Sequence, residues 1–225
     1  MKVPCFHCLK QQKTWTYSLA DFHGWERFRN FIMRKLGVQH ATGPRQPLRV
    51  LLIRRSNHRF MLNAKSVLKS IKNTLKDILV EEIYFEKINL TARIKYASEC
   101  DVMVGVDGSG LFNANFMRKG SFVVRILPYG MDKYLPNKGF NFIRSWNALG
   151  VHHRDLHTTN ARHPYTHDAT LARLLRKNPD KIDPRIAWNL VNQDTIVNTS
   201  GLVLILREIS QLLSGQHRRI GLNFV

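Results

Sequence analysis

The sequence predicts an α/β fold, a parallel sheet with helices on both faces. Three observations carry this. First, Leu48–Ile53 (LRVLLI), Asp101–Gly105 (around Val102-Met103-Val104) and Phe122–Leu127 (FVVRIL) are mainly apolar runs too short for helices. That is how strands buried on both faces read. Second, stretches with helical spacing separate them, and this alternation is the mark of a parallel sheet. Third, Gly105-Val-Asp-Gly-Ser-Gly110 places three glycines in six residues directly after the Asp101–Gly105 strand. Strand, glycine turn and helix start together are where α/β proteins put a phosphate or a reacting group.

In chain order, residues 1–30 read as loop-like, with Trp15, Tyr17, Phe22, Trp25 and Phe28 as anchors for a neighbouring surface. Glu26–Leu36 places Phe28, Phe31, Ile32 and Leu36 on one helical face, and Gly37 ends it. Val38–Pro47 is a connector. After the strand Leu48–Ile53 comes a polar loop, RRSNHRFML, and then a helix from Asn63 to Leu79 with Val67, Leu68, Ile71, Leu75 and Ile78 inward. Glu82–Phe85 is the next strand and Leu90–Ser98 the next helix. Asp101–Gly105 is the third strand, Leu111–Arg118 its helix, and Phe122–Leu127 the fourth strand. Beyond Pro128 the pattern loosens through Tyr129–Asn141 and His152–Asp168. Ser200–Leu213 then has helical spacing with Thr199 or Ser200 as cap. Two parts follow: a lead-in over residues 1–47 and an α/β domain over 48–225.

The 225 residues are ample for a real core, and the 44% hydrophobic share argues against global disorder. No apolar run approaches the roughly 20 residues that span a bilayer. The first 30 residues lack the apolar core of a signal peptide. A secretory location would need a targeting segment outside this chain. The formal charge of +19 favours polyanions, but the basic residues are scattered and no RNA or DNA module appears, so no nucleic-acid partner is expected. Cys5-Phe-His-Cys8 has zinc-like spacing without a second pair; a local disulfide or two free thiols fit it better. Cys100, beside the third strand, reads as a small core residue.

Right-handed crossovers put Arg54–Arg59 and Val106–Gly110 on the same carboxyl edge of the sheet. In Arg55-x3-Arg59-x3-Asn63, the guanidinium groups can clamp a diphosphate while Asn63 caps the following helix. The other reading is a solvated loop. The glycine turn likewise reads as an anion cradle or simply as a tight turn. Asp107 within it is unusual, because a carboxylate repels the anion such a loop suits. It can be a general base, orient a histidine or a sugar hydroxyl, or hold the turn.

The Arg-x3-Arg-x3-Asn loop, the segment YFEKINL and then DVMVGVDGSGLFNANFMRKGSFVVRILPYG together resemble the family 61 glycosyltransferases. That group includes plant xylosyl- and arabinosyltransferases and the animal EGF-domain O-GlcNAc transferase. Its pattern there is an aspartate, an apolar strand, Gly-x-His-Gly-Ala-Gly-Leu-Thr-Asn, then Phe-Met. Asp101, Gly105, Gly108, Gly110, Leu111, Asn113, Phe116 and Met117 fill it in order, with Asp107 in place of the histidine and Ser109 in place of the alanine. The resemblance covers about residues 25–215 and is densest over 49–128.

The resemblance implies a Rossmann-like domain similar to the C-terminal half of a GT-B glycosyltransferase, with an acceptor-side N-terminal half as a missing partner. It implies inverting transfer of a sugar from a nucleotide sugar, UDP-linked, to a hydroxyl of a protein or glycan. The setting would be the Golgi or endoplasmic reticulum lumen, in glycoprotein biosynthesis. Donor-binding residues would be Arg55, Arg59, Asn63, Gly105, Gly108, Ser109, Gly110, Leu111 and Asn113, with Asp107 as the catalytic candidate. No Asp-x-Asp metal motif is present in the sequence, so no metal or other cofactor is expected. Asp107 and the short length also motivate a second expectation, a non-catalytic relative serving as a binding or assembly module.

Overall fold

A computed structural model describes residues 19–40, 46–129, 131, 140–158, 173 and 193–218. Cys5, Cys8, Trp15 and Tyr17 lie outside the described residues, as do most of Tyr129–Asn141 and the end of His152–Asp168. Five strands form one parallel sheet: β1 (Leu48–Arg54), β2 (Ile78–Tyr84), β3 (Val102–Val106), β4 (Phe122–Leu127) and β5 (His152–His157). Their order across the sheet is β2-β1-β3-β4-β5.

Alternate residues of the central strands face opposite layers. Val50, Leu52, Val102, Val104, Val124 and Ile126 share a core with α2 (Ala64–Thr74) and α5 (Thr199–Arg218). Leu51, Ile53, Met103 and Val123 share the other with α1 (Leu19–Lys35), α3 (Leu90–Glu99), α4 (Phe140–Ala148) and a 3-10 helix (Ser109–Phe116). Helices on both faces explain why these strands read as apolar runs: neither side of the pleat meets water. Helix α1, within the expected lead-in, puts Met33 into the second core and so packs on the same sheet.

Several boundaries differ from the sequence expectation. Helix α2 ends at Thr74, and β2 runs from Ile78 to Tyr84 rather than from Glu82 to Phe85. The apolar residues of 75–79 therefore serve a turn and a strand start, not a last helical turn. The expected helix over Leu111–Arg118 is a 3-10 helix. Leu111 N–H donates to the Gly108 carbonyl (3.0 Å), and the Asn113 side chain donates to the Gly110 carbonyl (2.9 Å). A side chain that takes a backbone acceptor in this way competes with α-helical bonding. The fifth strand falls where a loosened chain was expected. HHRDLH buries only Leu156 well, so it carries no apolar run to mark it. Helix α5 is capped by Asn198, whose Oδ1 accepts from Gly201 N–H at 3.0 Å, rather than by Thr199 or Ser200. Cys100 is buried and free, and burial pushes its thiol far above its ordinary range.

Candidate functional site

The strand order makes a crevice. Going forward from β1, the chain moves outward to β2; going forward from β3, it moves the other way, to β4. The connections after these two adjacent strands diverge, and open α/β sheets bind ligands at such switch points. The loop after β1 carries Arg55, His58 and Arg59; the turn after β3 carries Asp107–Gly110.

The two loops interlock. Arg59 adopts the left-handed conformation (φ 60°), and its Nη1 donates to the Asp107 carbonyl at 3.0 Å. Gly108 has φ 153° and ψ −177°, a backbone region open essentially to glycine alone. A Cβ there would stand 2.1 Å from Arg59 Nη1, and one at Gly110 would stand 3.9 Å from Arg55 Nη1. Both guanidinium groups therefore lie over the glycine turn, and the missing side chain of Gly108 is what admits that of Arg59. Burial and then the neighbouring Arg55 hold the Arg59 guanidinium below its ordinary value, with Asp107 pulling the other way.

Arg55 also pairs with Glu86, Nε to Oε1 at 2.6 Å, and its Nη2 lies 3.4 Å from His58 Nε2. Because an arginine only donates, this contact makes Nε2 the acceptor. Burial, Arg55 and Arg59 all hold the His58 imidazole below its ordinary value. His58 escaped the sequence reading, although it stands between the two arginines in RRSNHRF.

The arginine loop is pinned from behind by the segment leading to α5. Phe60 N–H donates to Asp194 Oδ1 (2.8 Å), Thr195 N–H to the Phe60 carbonyl (2.7 Å), and Leu62 N–H to the Thr195 carbonyl (2.9 Å). Asn63 belongs to this clamp. Its Nδ2 donates to the Val197 carbonyl (2.8 Å) and its Oδ1 accepts from Val197 N–H (2.9 Å). The cap bond expected of Asn63 is absent. Its amide instead joins α2 to the chain 134 residues later.

Of the other expected site residues, Ser109 is exposed and Gly110 half-buried at the mouth of the turn. Gly105 and Leu111 lie beneath it. A Cβ on Gly105 would meet Leu111 Cδ2 at 3.0 Å and Ile53 Cβ at 3.2 Å, so these residues set the closeness of turn and sheet. Asn113 is buried, its amide on Gly110.

Asp107 faces inward, only 3% exposed. Its Oδ1 pairs with Arg125 Nη1 at 3.3 Å. Arg125 also grips Asp155 through Nε to Oδ1 (2.9 Å) and Nη2 to Oδ2 (2.6 Å). Burial pushes the Asp107 carboxyl up, against the pull of Arg125 and Arg59. Burial also works against the charge on Arg125, but the bonds to Asp155 and Asp107 outweigh it and hold the guanidinium above its ordinary value. The sequence signal for Arg125 was a lone arginine in a strand apolar at every other position, FVVRIL.

Among the described residues no group of three or more His, Cys, Asp or Glu is placed to hold a metal ion. Nor is any described helix long and apolar enough to cross a membrane.

The fold and site thus define an α/β domain of the Rossmann-like class with a cationic crevice at its switch point. Comparison with known proteins gives the family. The model of the Glycosyltransferase 61 family matches residues 11–124, and the chain belongs to that family. Alpha-1,3-arabinosyltransferase XAT2 of Oryza sativa subsp. japonica is 26% identical over 147 residues, 62% of this chain and 25% of that protein. Protein O-linked-mannose beta-1,4-N-acetylglucosaminyltransferase 2 of Bos taurus is 27% identical over 118 residues, 50% of this chain and 20% of that protein. Beta-1,2-xylosyltransferase XYXT1 of Oryza sativa subsp. japonica is 24% identical over 183 residues, 78% of this chain and 37% of that protein. The chain thus spans between a fifth and about a third of these relatives' lengths.

Proposed function

We propose that this chain is the nucleotide-sugar-binding part of a glycosyltransferase that moves a sugar from a UDP-linked donor to a hydroxyl of a protein or glycan. One observation carries the reading. Arg55 and Arg59 are packed together over a glycine turn at the switch point, where a Cβ on Gly108 would stand 2.1 Å from Arg59 Nη1. Glu86 meets Arg55 from one side, while burial and Arg55 hold the Arg59 guanidinium below its ordinary value, and a diphosphate between the two guanidinium groups offsets that cost. Family membership and the names of the relatives support the same reading.

In sugar transfer the anomeric carbon–oxygen bond breaks and the diphosphate leaves with the electron pair, so negative charge develops on its oxygens. Arg55 and Arg59 meet that charge, as do the first N–H groups of the 3-10 helix, which begin without helical acceptors. His58, neutral at pH 7, adds a donor through Nδ1–H. Asp107 holds the turn: its carboxylate is turned to Arg125 and away from an incoming hydroxyl. The base that takes the acceptor's proton then comes from elsewhere in a two-part enzyme, whose N-terminal half would bring the acceptor. The Golgi or endoplasmic reticulum lumen is the setting that suits such a reaction.

The inward Asp107 also favours a second reading, a relative that keeps the fold and the anion crevice as a binding module without turnover. Thermal unfolding with UDP and UDP-sugars tests the shared part of both. A rise in Tm that is lost in Arg55→Ala/Arg59→Ala supports donor binding, and no rise with any common nucleotide sugar contradicts it. Release of UDP from a UDP-sugar in the presence of acceptor separates the two readings.

A further inference from the structure

The chain of charges Asp107–Arg125–Asp155 lies beneath the crevice, on the face of the sheet that carries the 3-10 helix. Its geometry follows from register. Arg125 stands opposite Gly105 on one side and Asp155 on the other, and Asp107 N–H continues the ladder by donating to the Ile126 carbonyl at 2.9 Å. Replacing a buried ion pair by well-packed apolar residues is often neutral or stabilising, so stability alone is a poor reason for an arginine only 6% exposed in mid-sheet.

Asp107 gives a better one. Its two ends are held by two different arginines: the carbonyl by Arg59 from above, the carboxylate by Arg125 from within. The carboxylate is also close enough to Arg59 to feel its charge. Released from Arg125, it has Arg59 of the crevice as its cationic neighbour among the described residues.

We propose that Arg125, anchored by Asp155, is a positioning residue that keeps the Asp107 carboxylate from occupying the anion site of its own loop. The turn can then carry an acid where the family pattern has a histidine and still present a cationic mouth. Asp155 fixes the guanidinium by two parallel bonds, leaving one edge for Asp107, a geometry that lysine cannot reproduce. The proposal rests on the donor-binding reading for its ligand but not for its internal contact.

Two variants and two readouts test it. By calorimetric titration of UDP, Arg125→Gln is expected to bind about tenfold more weakly, because the freed Asp107 competes for Arg59. Arg125→Gln/Asp107→Asn is expected to return to near wild-type affinity, since the competing charge is gone. A merely structural role predicts the opposite, a double variant as weak as the single one or weaker, and that result would overturn the proposal. The second readout needs no ligand. The guanidinium proton–nitrogen signals of Arg59 should shift in Arg125→Gln and return in the double variant. If the wild type binds no UDP while these signals behave as stated, the donor reading fails and the internal contact stands. If they do not move in Arg125→Gln, the positioning role is refuted, whatever UDP does.

Discussion

The two edges of the sheet carry similar charges and use them differently. At the amino edge every named charge meets its opposite. Arg49 pairs with Glu99 at 2.9 Å and Glu81 at 3.3 Å, while Asp101 accepts from Arg118 at 2.6 Å and from Arg49 N–H at 2.8 Å. At the carboxyl edge Arg55 also has an acidic partner, Glu86, yet its guanidinium and that of Arg59 lie over one glycine turn, and both hold the His58 imidazole down. Opposite charges that satisfy each other hold a fold together. Two guanidinium groups over one glycine turn leave cationic donors facing a crevice, which is what the proposed diphosphate site needs.

The comparison can be broken most forcefully at the amino edge. Arg118→Ala strips a partner from Asp101, which is 1% exposed. The expected loss is about 3 kcal/mol of unfolding free energy in urea, with UDP affinity unchanged. A large change in affinity with intact stability would mean that this edge is not merely structural. At the carboxyl edge Gly108→Ala should do both kinds of damage. It places a Cβ in a backbone region that only glycine adopts and displaces the Arg59 guanidinium. The strain amounts to about 2 kcal/mol, and UDP binding should weaken with it.

A smaller effect comes from His40, which belongs to neither set. Both ring nitrogens are buried without hydrogen-bond partners among the described residues, and burial followed by Arg29 pushes the imidazole down to about 4. The folded form resists protonation more than the unfolded one. Stability from this group is therefore full above the ordinary imidazole value and is lost as pH falls from there to about 4. The decline should be about 1–2 kcal/mol. His40→Gln should flatten it, and an unchanged pH profile would remove this account of His40.

How much of this was legible in the sequence follows from which side chains meet water. β1, β3 and β4 are covered on both faces, so they appear as apolar runs, and with them came the sheet and the meeting of the loops after β1 and β3. β5 is an edge strand that buries mainly Leu156, so HHRDLH gave no period to read. Gly108 and Gly110 were visible as glycines, but the guanidinium that needs the space at Gly108 comes from a loop 49 residues earlier. Asn63 looked like a cap because caps are local; its actual bonds reach Val197, and no local rule finds them. Asp107 was visible and puzzling because a carboxylate does not suit an anion loop, and the partner that accounts for it, Arg125, lies on the next strand. Register, not spacing, brings them together. The family pattern was the strongest signal, because it joined segments whose separate readings stayed open.

The proposed function stands or falls with the crevice between the loops after β1 and β3 binding the diphosphate of a nucleotide sugar. The most direct test is a titration of UDP into isotope-labelled protein, followed by backbone and arginine side-chain signals. The account predicts saturable shifts concentrated at Arg55–Arg59 and Gly108–Leu111, with the Arg49, Arg118 and Asp101 set unmoved. Shifts centred on that amino-edge set, or none at millimolar UDP, would contradict it.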